Sequence, residues 1–196
     1  TAEQLLQRGQ VTVAEGRRGV PGLDVVRNST PGSPTSVFLR GAPNEHTKVL
    51  IDGIPANDPL SVGRGFDFSN LSVDNIEKIE IIRGPQSVLY GSDAIGGVIL
   101  ITTRKGQGQM SGRASTWGGS FSTFNSAANA GGSSGPVYYS MGGSYFDSNG
   151  FSAADRRLAG NVEDDGFQLG TFSTRAGWQP SENVNVDFVL RYNQGH

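Results

Sequence analysis

Cysteine is absent from the 196 residues, which excludes disulfides and thiolate metal sites and leaves the redox compartment open. Long apolar runs are missing too: a stretch such as Val98 to Ile101 falls far short of the roughly 20 residues a membrane-crossing helix needs. With 16 Lys and Arg against 18 Asp and Glu, the net charge is −2, and the cations are scattered rather than gathered into a stripe that could track a phosphate backbone. Nucleic acid is therefore not an expected partner. Neither His46 nor His196 sits in a nucleophile or metal-ligand motif, and no carboxylate pair is placed for acid–base work. Catalytic residues are not expected. The chain opens on Thr1 without an initiator Met, a basic n-region or an apolar h-region, and so reads as a processed or trimmed product.

What is present changes character near Lys105. Before it, apolar residues come in compact clusters: Val37-Phe38-Leu39, Val49-Leu50-Ile51, Ile79 with Ile81-Ile82, Val88-Leu89, and Val98 to Ile101. Gly, Pro and Asn punctuate them, the pattern of a small mixed α/β core. After it, Gly, Ser, Thr and Asn dominate, and single aromatics replace the aliphatic clusters. The expected domains are thus 1–105 and 106–196.

The first half divides further. Val37 to Arg40, Val49 to Asp52, Ile79 to Arg83 and Val98 to Thr102 can form one small sheet, with turns at Gly41, Gly53 and Gly84. Pro85 suits the first position of a short helix through Tyr90, ended by Gly91, while Gly96 and Gly97 permit close backbone approach.

The second half alternates with a period of two. Val184, Val186, Phe188, Leu190 and Tyr192 share one face, against Asn185, Asp187 and Arg191 on the other. Val137, Tyr139, Met141, Gly143 and Tyr145 face away from Tyr138, Ser140, Gly142 and Ser144 in the same manner. Weaker strands around Arg113 to Trp117, Phe121 to Ala130 and Phe167 to Trp178 complete an antiparallel meander, with turns at Gly119-Ser120, Gly132 to Gly135 and Pro180 to Glu182. Alternation alone fits a soluble sandwich as well as a membrane barrel. Aromatics at strand ends (Trp117, Phe121, Tyr145, Phe146, Phe167, Trp178, Tyr192) read as interfacial girdles, and the small polar alternate face suits a wet lumen. Some 90 residues hold at most about five spanning strands of 9 to 11 residues, fewer than the roughly eight of the smallest barrels. This stretch alone cannot close one.

Motifs in the first half decide between the two. Thr35-Ser36-Val37-Phe38-Leu39-Arg40-Gly41 is followed by Val49-Leu50-Ile51-Asp52-Gly53-Ile54-Pro55. Then Asn75-Ile76-Glu77-Lys78-Ile79-Glu80-Ile81-Ile82-Arg83-Gly84-Pro85 runs into Ser87-Val88-Leu89-Tyr90-Gly91-Ser92-Asp93-Ala94-Ile95-Gly96-Gly97-Val98-Ile99. In this order and spacing the motifs resemble the plug domain of TonB-dependent outer-membrane receptors. The resemblance implies an α+β plug (a small mixed sheet with short helices) followed by the first four or five strands of an antiparallel transmembrane β-barrel of about 22 strands. It implies energy-dependent uptake of a scarce ligand, a siderophore–iron complex or cobalamin, across the outer membrane of a Gram-negative bacterium. The implied partners are TonB with its inner-membrane energising complex, the small-molecule ligand and outer-membrane lipid.

Within that frame, outward plug loops are the expected ligand contacts: Asn44, Glu45 and His46 between two strands, and Asn57, Asp58, Leu60, Arg64 and Phe66 in the longer loop. Arg40 and Arg83 each end an apolar strand before Gly, where a solvent-facing cation is the simple reading. The resemblance makes them a plug–barrel latch, pairing with acids on the inner barrel wall that are expected beyond His196. The loop from Asn149-Gly150-Phe151 to Glu163-Asp164-Asp165-Gly166-Phe167 resembles the acidic hairpin loop of a cobalamin transporter, which implies a calcium site on Glu163, Asp164 and Asp165. Ser152 and Glu163 depart from that pattern, and a solvated acidic loop is the alternative; no cofactor is otherwise required. Gly9 to Gly19, after Leu5-Leu6, is an insertion relative to the family, and the TonB-contacting box is not within this stretch. Two alternatives remain: a secreted or surface β-rich ligand-binding or adhesive protein, and a receptor that signals without importing.

Overall fold

A computed structural model describes residues 12–13, 21–29, 32–60, 63–73, 75–150 and 165–195. The chain divides into two compact units, one ending at Thr103 and the other running from Arg104.

The first unit holds two sheets. β1 (Leu23–Arg27) and β2 (Thr35–Leu39) pair antiparallel, Leu23 opposite Leu39. A four-stranded sheet has the order β4-β3-β6-β5, from β3 (Thr47–Ile51), β4 (Ile54–Pro55), β5 (Ile76–Arg83) and β6 (Gly97–Thr103). The expectation of a single sheet is corrected here, since Val37 to Leu39 pairs with Leu23 to Val25 instead of joining β3. The reason lies in Val25 and Leu23, whose apolar side chains let β1 and β2 cover the four-stranded sheet as a second layer. β6 lies between β3, parallel to it, and β5, antiparallel, and is buried along most of its length. A strand covered on both faces reads as a continuous apolar run, which explains Val98 to Ile101. Leu39, Val49, Phe68, Ile76 and Ile101 are all about fully buried in the resulting core. So is Val13, whose amide donates to the Leu71 carbonyl while Thr12 bridges Ser72. Part of the Gly9 to Gly19 insertion therefore contributes to the core.

The β3–β4 hairpin turns on Asp52-Gly53, with φ of 52° and 84°. Both central residues of a type I′ turn need positive φ, which is why Asp-Gly stands there. The helix α1 is shorter than expected, Ser87–Tyr90, with Pro85 outside it and Gly91 at its end. Gly96 and Gly97 meet their expectation: a Cβ at Gly96 would lie 2.7 Å from the Ala42 Cβ, and one at Gly97 would strike the Ile82 carbonyl.

The second unit is a five-stranded antiparallel meander in the order β11-β10-β9-β8-β7. Its strands are β7 (Ser111–Gly119), β8 (Thr123–Ser134), β9 (Val137–Ser148), β10 (Phe167–Ser181) and β11 (Val184–Gly195). Pro180 lies inside β10 rather than in a turn, beyond the last Trp178 pairing and beside a register shift, where its missing N–H costs no regular ladder bond. At one end the connections are two residues long, Gly135-Pro136 and Glu182-Asn183; at the other, β9 and β10 are separated by residues 149–166.

Candidate ligand loops and membrane face

The meander buries the wrong chemistry for a soluble sheet. One face, read along the registers, carries Phe124, Tyr139, Met141, Tyr145, Phe172, Trp178, Val186, Phe188, Leu190 and Tyr192, all exposed. The other carries Asn125, Ser140, Ser148, Ser173 and Arg175, all buried. Phe188 is 61% exposed while Arg175, on the neighbouring strand, is 6% exposed. In water such an arrangement wastes apolar burial, whereas in a bilayer the apolar face has the matching solvent and the strand ladder satisfies the backbone of the inner strands.

The girdle expectation needs a correction. Tyr145, Trp178 and Tyr192 lie on the apolar face, but Trp117, Phe146 and Phe167 lie on the polar one. There they form a chain of ring contacts, 6.3 Å from Trp117 to Phe146 and 6.0 Å from Phe146 to Phe167. Position near a strand end was read from the sequence without its parity, and parity sets the face. Phe121 is in the β7–β8 turn with φ of 58°.

The sequence reading also missed a polar network on that second face. Arg175 Nε and Nη2 donate to the two Asp187 carboxylate oxygens at 3.0 and 3.1 Å. Tyr138 donates its hydroxyl to Asp187, and the Asn185 amide donates to the same carboxylate at 3.0 Å. Arg175 and Asp187 flank the β10–β11 turn on the same face, a signal that strand register alone could have revealed. A bidentate Arg–carboxylate pair with additional donors is the form in which a charge tolerates this much burial.

In the first unit the two predicted ligand loops meet. Asn44, in a short 3₁₀ turn, donates to the Phe66 carbonyl at 3.3 Å and accepts from the Val37 amide at 3.4 Å. Asn57 accepts from the Val49 amide at 2.8 Å and donates to the Thr47 and Arg64 carbonyls. Phe66 packs edge-on against buried Phe68 at 4.6 Å. These three side chains hold the loops in shape. His46 contributes its carbonyl, which accepts from the Gly96 amide at 2.9 Å. Glu45, Asp58, Leu60 and Arg64 remain exposed, Leu60 at 93%. Asp58 orders this tip by accepting from the Leu60 amide at 2.8 Å.

Arg40 and Arg83 are brought near each other: a Cβ at Gly84 would lie 4.0 Å from Arg40 Nη1. Both are exposed, and neither makes an ion pair among the described residues. Arg40 takes a positive φ of 52°, followed by Gly41 at 77°, so a tight turn aims this Arg outward. Of the expected calcium ligands, Glu163 and Asp164 lie outside the described residues. Among the described residues no group of three or more His, Asp or Glu could hold a metal ion.

A family model of the TonB-dependent receptor plug domain matches residues 1–98. Among solved structures, the chain is similar to the siderophore receptor PirA from Acinetobacter baumannii, with 24% identity and a TM-score of 0.75 over 100% of this chain and 31% of that one. The ferric yersiniabactin uptake receptor FyuA from Yersinia pestis gives 20% identity and a TM-score of 0.75, over 100% of this chain and 30% of that one. The copper transporter OprC gives 23% identity and 0.73, over 94% of this chain and 28% of that one. The chain thus spans about a third of the length of the receptors it matches. The shared fold is a plug domain followed by antiparallel barrel strands.

Proposed function

This chain belongs to the TonB-dependent receptor plug family, and on that footing we propose that it is part of an outer-membrane receptor for energy-dependent uptake of a scarce ligand. The observation that carries the reading is the inverted sheet: an apolar exposed face and a polar buried face on the strands that follow a plug. Such strands belong in the outer membrane of a Gram-negative bacterium, with the two-residue turns Gly135-Pro136 and Glu182-Asn183 at the periplasmic end and the longer β9–β10 connection at the outer end. Residues 1–105 are the plug and 106–196 the first five strands of a barrel of about 22.

The protein is a transporter and not an enzyme; import works by differential binding between two plug states, with TonB supplying the bias. The ligand class is a metal-carrying small molecule, a siderophore–iron complex or cobalamin. The siderophore reading is supported by the ligands named for PirA and FyuA. Glu45, Asp58, Leu60 and Arg64 contact the ligand, while Asn44, Asn57 and Phe66 shape the loops that present them. Arg40 and Arg83 supply the latch, their exposed guanidinium groups being free for a carboxylate elsewhere in the receptor.

Growth of a strain lacking the receptor, complemented with the full-length gene, tests this under iron limitation with defined siderophores and, separately, under cobalamin limitation. Growth restored by one ligand and abolished without TonB is expected. Growth independent of the receptor under every limitation would overturn the reading. Arg83→Ala in the complete receptor is expected to raise passive entry of a bulky antibiotic while ligand binding stays near normal; unchanged entry in a correctly inserted variant removes the latch.

A further inference from the structure

The segment that leaves β6 has the composition of a flexible linker, Arg104-Lys105-Gly106-Gln107-Gly108, yet it is attached at nearly every residue. The Arg104 carbonyl accepts from the Ser140 hydroxyl at 2.7 Å. Lys105 places its ammonium 5.0 Å above the Tyr138 ring and 3.9 Å from the Asp187 carboxylate. Gly106 is buried, and a Cβ there would collide with the Tyr139 carbonyl and the Gly132 backbone. The Gly108 amide donates to the Ser133 hydroxyl at 2.8 Å, and the Ser133 amide donates back to the Gly108 carbonyl at 2.8 Å.

We propose that Arg104–Gly108 is a fixed strap, held to the polar face of β8, β9 and β11, that anchors the chain where it leaves the plug's central strand. Gly106 is small because the strap lies directly on the sheet backbone, not because the chain must bend there. The network on Asp187 serves the same end: Arg175, Tyr138 and Asn185 fix the carboxylate, and Lys105 reads its position. Just before the strap, Asp52 of the β3–β4 turn holds the end of β6, accepting from the Thr103 amide at 2.9 Å and its hydroxyl at 2.7 Å. The chain leaving β6 is thereby fixed to the five-stranded sheet instead of hanging as a slack linker. The proposal rests on the transport reading for its purpose alone, since the strap is a property of the resting receptor.

Hydrogen exchange of the full-length receptor in lipid vesicles tests it, read on peptides covering residues 104–110. The strap should be protected in the wild type, and Lys105→Ala combined with Ser133→Ala should speed its exchange on the order of tenfold, the effect of removing about one hydrogen bond and one ion contact. Protection of β8 to β11 should not change. Gly106→Val should dislodge the strap further; if that variant fails to insert, the double variant decides. Wild-type exchange as fast as that of the Gly135 turn would overturn the proposal, as would a double variant with unaltered protection. No transported ligand enters the measurement, so failure of uptake and failure of the strap are separate results.

Discussion

The two units use the same alternating strands and bury opposite chemistries. In the plug, Leu39, Val49 and Ile76 turn inward and are fully buried; in the meander, Val186, Phe188 and Leu190 turn outward and Arg175 is covered. Period-two alternation specifies that a strand has two different faces, but the solvent decides which one is hidden. An amphipathic strand is therefore read for location only when the burial of both faces is known.

Substitutions can break this contrast unit by unit. The largest effect is expected in the plug: Ile101→Ala opens a cavity beneath the central strand and should cost about 4 kcal/mol, read by denaturant unfolding with a plug-specific probe. Arg175→Ala in the meander leaves Asp187 without its bidentate partner. Asp187 retains 24% exposure, so the loss should sit near the low end for a buried pair, about 3 kcal/mol, read as a lowered unfolding midpoint of the full receptor in lipid. Leu190→Arg should cost about 2 to 3 kcal/mol in a bilayer, because the charge replaces an apolar side chain in mid-strand. In a water-facing sheet the same change would be nearly neutral, so vesicle-insertion yield sharpens the comparison. Asn57→Ala removes three hydrogen bonds around the proposed ligand loop and should cost about 1 to 2 kcal/mol locally, detected as faster exchange of residues 57–66 and, on the proposed function, weaker ligand binding.

Much of this architecture was legible from residue order. The motifs from Thr35 to Ile99 point to the plug, and the parity of Val184 to Tyr192 separates the two faces of β11, although not which of them is hidden. What escaped the sequence depended on pairing between distant strands. β2 left the main sheet because Leu23 and Val25 offered it a partner, and nothing local to Val37 reports that choice. Trp117 and Phe146 resemble Tyr145 in lying near strand ends, and only their pairing parity separates the faces. The roles of Asn44 and Asn57 were hidden for the same reason: their hydrogen-bond partners, Val37 and Phe66 for one and Thr47 and Val49 for the other, are set by folding. A polar loop residue in a sequence reads alike whether it shapes the loop or meets a ligand.

The central claim is that the apolar face of the meander lies in lipid. Single Cys substitutions along β11, carrying a fluorophore in the full-length receptor in vesicles, test it through quenching by lipids bearing a quencher on the acyl chain. Labels at Val186, Phe188 and Leu190 should be strongly quenched and labels at Asn185, Val189 and Arg191 weakly, with a period of two. Uniform quenching, or a pattern with the two sets exchanged, would contradict the assignment of this face to the membrane.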